Sequence, residues 1–199
     1  MTIENHMPTT SKNTTPYRCT WTNLNNPLYV QYHDDEWGVP CHSDRALFEL
    51  LILEGFQAGL SWECILNKRE AFRRAFDGFE IEAVSAYDKQ KINLLMADAG
   101  IVRNRRKIEA SITNAQVFKQ IQEEFGSFDA YIWKFVDGEP VNESHTIRTT
   151  SPLSDEISKD LKKRGMKFVG PTIVYSFLQA IGVINGHEEN CYLCGVKRS

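Results

Sequence analysis

The chain has 199 residues, 42% of them hydrophobic, and a formal net charge of −3 at pH 7, enough to bury one sizeable core or two small lobes around a cleft. That charge excludes a globally basic nucleic-acid binder, so any DNA affinity has to come from local basic patches. No apolar run approaches the roughly 20 residues that span a bilayer and no signal-peptide stretch is evident, while five cysteines make an odd number for a disulfide framework; a cytoplasmic protein without a membrane segment is expected.

Residues 1–16 are rich in Thr, Ser, Asn and Pro and read as a disordered tail ahead of one domain over 17–199. Asn26 as cap and Pro27 at the first helical position predict a short helix carrying Leu28, Tyr29, Tyr32 and His33, closed by Gly38 and Pro40. Ser43 caps a longer segment with Leu47, Phe48, Leu51 and Ile52 at helical spacing, ending near Gly55 or Gly59. Ser61 opens the next helix, with Trp62, Ile65, Leu66 and Phe72 inward and Lys68, Arg69, Arg73 and Arg74 largely outward. Asp88 caps a helix that runs to Gly100, a glycine suited to the left-handed conformation beyond a helix end. The apolar positions Ile108, Ile112, Ala115, Phe118, Ile121 and Phe125 then step by three or four, a strong amphipathic signal. A helix from Phe128 to about Phe135 ends at Asp137-Gly138, and 138–151 read as a connection. Ser154 opens another helix that stops at Gly165, and 172–184 read as a buried helix, with a strand as the lesser reading. The fold class is all-α.

Three features carry chemistry. His187 and Cys191, four apart, share a helical face, and Cys19 with His33 would complete a closed, structural Cys2His2 zinc site. Free thiols or a redox Cys191-x-x-Cys194 pair fit the same spacing, with Cys194 as a competing ligand. The stretch 88–125 reads as a helical hairpin whose second helix begins beside Arg103, Arg105, Arg106 and Lys107. Unpaired amides and basic side chains there suit a DNA phosphate, with Gly100 allowing close backbone approach. An ordinary hairpin with a solvated basic face fits equally, as does a solvated face for Lys162, Lys163, Arg164 and Lys167. Lastly, Glu54, Gly55, Gly59 and Trp62 surround a break between helices. Together with Trp21, Tyr29, Tyr32 and Trp37 they offer aromatic surface and an acceptor for a flipped purine. A cationic, alkylated purine would be favoured by such walls; aromatic residues at helical spacing are also what a plain core contains.

Taken together, Cys19-x-Trp21, Pro27-Leu28-Tyr29, Tyr32 to Pro40, Leu53 to Trp62, Asp98 to Lys107, Leu161 to Gly170, and Tyr175-Ser176-Phe177 leading to His187 and Cys191 closely resemble the 3-methyladenine DNA glycosylase I family. The resemblance runs from about Tyr17 to Cys191. It implies a helix-hairpin-helix glycosylase fold with a structural zinc on Cys19, His33, His187 and Cys191. It further implies that Glu54 contacts the methylated base, Trp62 stacks on it, and Tyr29, Tyr32 and Ser176 line the pocket, while Gly59 and Leu60 probe the gap left in the duplex. The implied enzyme is a monomeric bacterial one that acts on double-stranded DNA containing 3-methyladenine, releases the free base and leaves an abasic site. Neither Asp129 nor Asp137 is assigned as a catalytic base.

Two other classes compete. A zinc nucleobase deaminase needs His-x-Glu ahead of Pro-Cys-x-x-Cys with an open metal position, an order this chain lacks. A non-catalytic module that senses alkylated DNA would keep the pocket and the basic patches but release no base.

Overall fold

Helices begin where the sequence offers a capping side chain. Asn26 accepts from the Leu28 amide ahead of α1 (Pro27–Gln31), and the chain continues into one π-helical turn over Tyr32–Glu36. Ser43 caps α2 (Asp44–Gln57) and Ser61 caps α3 (Trp62–Leu66), each through a hydrogen bond to an amide three residues on. After α4 (Arg69–Ala75) and α5 (Ile81–Ser85), Asp88 caps α6 (Lys89–Ala97) and Asn104 caps α7 (Arg105–Phe125). The chain then forms α8 (Phe128–Trp133), β1 (Val141–Asn142), α9 (Pro152–Arg164), α10 (Pro171–Ala180) and β2 (Ile184–Asn185). The computed structural model describes residues 16–144 and 148–198, so the expected tail lies, apart from Pro16, outside the described residues.

Helix α2 is the hub. Every residue from Leu47 to Phe56 is buried, as expected of a helix packed on all sides. Phe48 meets Phe118 of α7 at 5.2 Å between ring centroids, and Phe118 stacks on Phe128 of α8 at 4.0 Å. Burying each such ring contributes about 2–3 kcal/mol relative to leaving it exposed. Asp44, in the first turn of α2, reaches across to accept the Phe128 and Asp129 amides and so caps α8 as well.

Four expectations need correction. The segment after Ser61 is two helices, because the chain turns at Asn67 and Lys68, where Lys68 sends its ammonium to the Ala99 and Gly100 carbonyls. Ser151 rather than Ser154 caps α9; Ser154 closes a reciprocal capping box with it, and Pro152 takes the first helical position. Helix α10 stops at Ala180, and Ile184–Asn185 instead pairs in parallel with Val141–Asn142. That two-residue ladder takes the Val141 and Glu143 amides onto the Val183 and Asn185 carbonyls, so the fold is mostly, not wholly, helical.

Candidate active site and metal cluster

A cavity of about 110 Å³ opens between the π turn, the end of α2, the start of α3 and α10, lined by Trp21, Tyr29, Tyr32, Trp37, Glu54, Gln57, Trp62, Ser176 and Gln179. All six pocket residues read from the sequence, Tyr29, Tyr32, Trp37, Glu54, Trp62 and Ser176, meet there. Trp21 joins them with its ring 4.9 Å from Trp37 and 5.6 Å from Tyr29, and Tyr32 lies 5.2 Å from Trp62. Two walls are tied by Glu63 of α3, whose Oε1 accepts from both Asn23 and Asn26 at 2.8 Å, holding α1 against the Trp62 helix. Gln57 and Gln179 escaped sequence reasoning. Each lies three residues beyond a recognised pocket residue on the same helix, Glu54 and Ser176, so helical spacing was the available signal.

The polar atoms of this cavity are left wanting. Glu54 is 3% exposed and its Oε2 has no hydrogen-bond partner, and the Trp62 indole N–H is likewise buried and unpaired. Such orphans are costly in a finished core and mark a place where a ligand edge completes the pairing. Burial alone pushes the Glu54 carboxyl up to about 8, because a dry site disfavours the charged form. The Tyr29 phenol is raised to about 12, chiefly by burial. The free cavity therefore presents neutral hydroxyls, π-faces and a carboxyl that a nearby positive charge would ionise.

Behind the aromatic wall lies a second cluster. Cys19, His33 and Cys191 are all buried and bring their ligand atoms within 4.8 Å of one another. His33 Nδ1 sits 2.8 Å from Asp34 Oδ1, which fixes that proton and leaves the Nε2 lone pair facing the Cys19 amide N–H at 3.3 Å and Cys191 Sγ at 3.5 Å. Asp34 is itself held by Arg18. Backbone amides of Glu188 and Leu193 donate to the Cys19 and Cys191 sulfurs, the pattern that supports thiolates. His187 lies outside the three-residue group, yet its ring is 5.5 Å from His33 and its Nε2 is buried and unpaired. Two sulfurs and one imidazole within reach of a common ion, with the orphaned His187 nitrogen beside them, are donor types that suit a tetrahedral metal such as zinc. Cys194 is not in the cluster.

The hairpin between α6 and α7 places Arg103, Arg105 and Arg106 at the surface. Two residues differ from expectation. Gly100 is not left-handed; it is required because a Cβ there would come within 3.0 Å of Ala71 and 2.9 Å of Asp98. Lys107, read as a phosphate contact, is only 6% exposed and turns inward to donate to the Phe56 and Ala58 carbonyls, both at 2.7 Å. Gly59 adopts φ +80 and Leu60 stands 43% exposed on the turn that follows α2. Asp129 pairs with His42, and neither Asp129 nor Asp137 lines the cavity.

A helical fold with a hairpin beside an exposed turn and an aromatic cavity that holds a buried, unpartnered carboxyl is the arrangement of a DNA glycosylase. Comparison with known proteins narrows the class. Residues 21–194 match the methyladenine glycosylase family, and the chain is 46% identical over 178 residues to DNA-3-methyladenine glycosylase 1 of Escherichia coli strain K12, covering 87% of this chain and 95% of that one. Among solved structures, 3-methyladenine DNA glycosylase I from Staphylococcus aureus superposes with a TM-score of 0.86 at 38% identity, covering 91% of this chain and 98% of that one. A single-residue variant of a 3-methyladenine DNA glycosylase I solved in complex with 3-methyladenine gives the same TM-score and identity over 92% and 99%. The chain belongs to the methyladenine glycosylase family.

Proposed function

We propose that the protein excises 3-methyladenine from double-stranded DNA by hydrolysing its N-glycosidic bond, releasing the free base and leaving an abasic site. The observation that carries this reading is the buried, unpartnered carboxyl of Glu54 at the end of an aromatic cavity. Methylation at N3 makes adenine cationic and a good leaving group, so the enzyme has no need to protonate it. The C1′–N9 electron pair departs with the base, the sugar becomes oxocarbenium-like, and water adds at C1′ with loss of a proton to solvent. Glu54 meets the cationic base and stabilises the positive charge as it moves toward the sugar. Neutral adenine gives the carboxyl no reason to ionise, whereas a cationic base does, at a cost near pH 7 of about 1.4 kcal/mol for the one unit separating it from about 8. Trp62 stacks on the base, Tyr29, Tyr32, Trp37 and Ser176 line its seat, and Gly59 and Leu60 occupy the gap in the duplex. Arg103 and Arg105, with the amides at the start of α7, hold phosphates.

No lysine lines the cavity, so a Schiff-base nucleophile is not supplied and the abasic strand stays intact. Zinc, held by Cys19, His33, His187 and Cys191, is structural: it clasps both ends of the domain behind Trp21 and Trp37, and supplies folding free energy rather than a reacting water. The enzyme acts as a cytoplasmic monomer; none of the described helices is long and apolar enough to cross a membrane. Incubation with methylated DNA should liberate 3-methyladenine without strand scission. A protein that binds such DNA yet releases no base is a sensing module, and one whose purified form carries no stoichiometric metal contradicts the clasp.

A further inference from the structure

The end of α2 is held in an unusual way. At Ala58 the backbone leaves the helix with ψ 113, which strands the last carbonyls of α2 without amide partners. The turn that follows is tight, with the Leu60 amide on the Gln57 carbonyl at 2.6 Å, and it exposes Leu60. The Phe56 and Ala58 carbonyls are instead satisfied by the Lys107 ammonium, which comes from the first turn of α7. Lysine is seldom buried, because its ammonium is strongly hydrated. Here the desolvation is enforced from outside: Phe168 lies with its ring 5.9 Å from Nζ, and its backbone is held at φ +53, a strained conformation for an aromatic residue. Asn114 of α7 fixes that strain by pairing with both the N–H and the C=O of Lys167. The neighbours of Lys107 in the same helical turn, Arg105 and Arg106, face solvent, and its own amide is taken by the Asn104 cap.

One ammonium thus joins the hairpin helix to the turn that carries Gly59 and Leu60. We infer that Lys107 is a positioning residue that locks the probing turn to the phosphate-gripping hairpin, so that seating of the hairpin on the backbone drives Leu60 into the duplex at a fixed depth. The inference rests on the proposed glycosylase reading. It assigns Lys107 a role neither in the base pocket nor on phosphate, and it predicts a defect confined to substrates whose base must be forced out of the stack.

The test compares duplexes that carry one 3-methyladenine, either paired with thymine or in a mismatch, where extrusion is easier. In Lys107→Met, binding of free 3-methyladenine should match wild type. Single-turnover excision of the paired lesion at saturating DNA should fall about 10- to 100-fold, as expected for a misplacement on the order of 1 Å. Excision of the mismatched lesion should stay within about threefold of wild type, and Lys107→Arg should restore part of the paired rate. Equal losses on both duplexes, or no loss on the paired one, overturn the inference. Should Lys107→Met not fold, Ala58→Gly loosens the same joint while keeping the ammonium, with the same selective loss expected and the same two results against it. Wild-type protein that releases no base from either duplex contradicts the glycosylase reading itself, and the inference with it.

Discussion

Helix α2 carries two buried glutamates five residues apart that meet opposite fates. Glu49, 7% exposed, is gripped by Arg69 and Arg73 of α4, with Arg69 Nε at 2.5 Å and Arg73 Nε at 3.0 Å from its Oε1. Arg69 also reaches Glu36 on the π turn, so the cluster ties three elements together. Glu54, 3% exposed, has an oxygen that nothing in the described protein answers. The same residue type on one helix is in the first case a finished joint and in the second an unfinished one. A fold can keep an unfinished carboxyl because burial neutralises it, and the missing partner is then the ligand.

Breaking the joint should have the larger effect. Replacing Glu49 by Ala leaves Arg69, itself only 11% exposed at the side chain, with Glu36 as its one remaining carboxylate, and unfolding free energy should drop by about 3 kcal/mol in urea titrations, the low end for a broken buried pair. A loss below about 1 kcal/mol would mean that water already screens this pair. Removing the charge at the other glutamate should do the reverse. Glu54→Gln should keep its fold yet lose excision by about 10²–10³-fold, the size of a lost electrostatic stabiliser, and near wild-type base release would remove Glu54 from the mechanism.

The comparison sharpens further with pH. Glu54 is raised from 4.5 to about 8, so between those values the unfolded chain gives up a proton that the folded chain retains. The stability associated with this group is full below about 4.5 and is lost as pH rises toward about 8, by up to about 1.4 kcal/mol per pH unit. The wild-type minus Glu54→Gln difference in unfolding free energy should show that decline, whereas a difference that stays flat from pH 5 to 8 would place the carboxyl in contact with water.

Much of this was legible in the sequence, for reasons that differ by residue. The caps at Asn26, Ser43, Ser61 and Asp88 were readable because capping is local, and the pocket residues were readable through the family resemblance and because aromatics and a glutamate flank a helix break. What escaped was set by long-range partners. Arg69 and Lys107 look like outward cations in helical projection; each is drawn in by groups distant in the chain, Glu49 and the carbonyls closing α2. Gly100 was read as a local conformational requirement, whereas its constraint is the approach of Ala71 from α4. The β1–β2 pair escaped because two residues carry no periodicity, whereas Cys19, His33 and Cys191, far apart in the chain, were named by residue type and family resemblance and do converge.

The central claim is that Glu54 lets an aromatic cavity prefer a cationic purine over its uncharged parent. The most direct check is an NMR titration of the protein with the 3,9-dimethyladeninium cation, in which a methyl at N9 stands for the sugar and keeps the charge, and with uncharged 9-methyladenine, repeated on Glu54→Gln. The cation should bind wild type at least about tenfold more tightly, a difference of about 1.4 kcal/mol, and the substitution should erase most of that gap. Equal affinity for the two bases in wild type, or a preference that survives loss of the carboxyl, would contradict it.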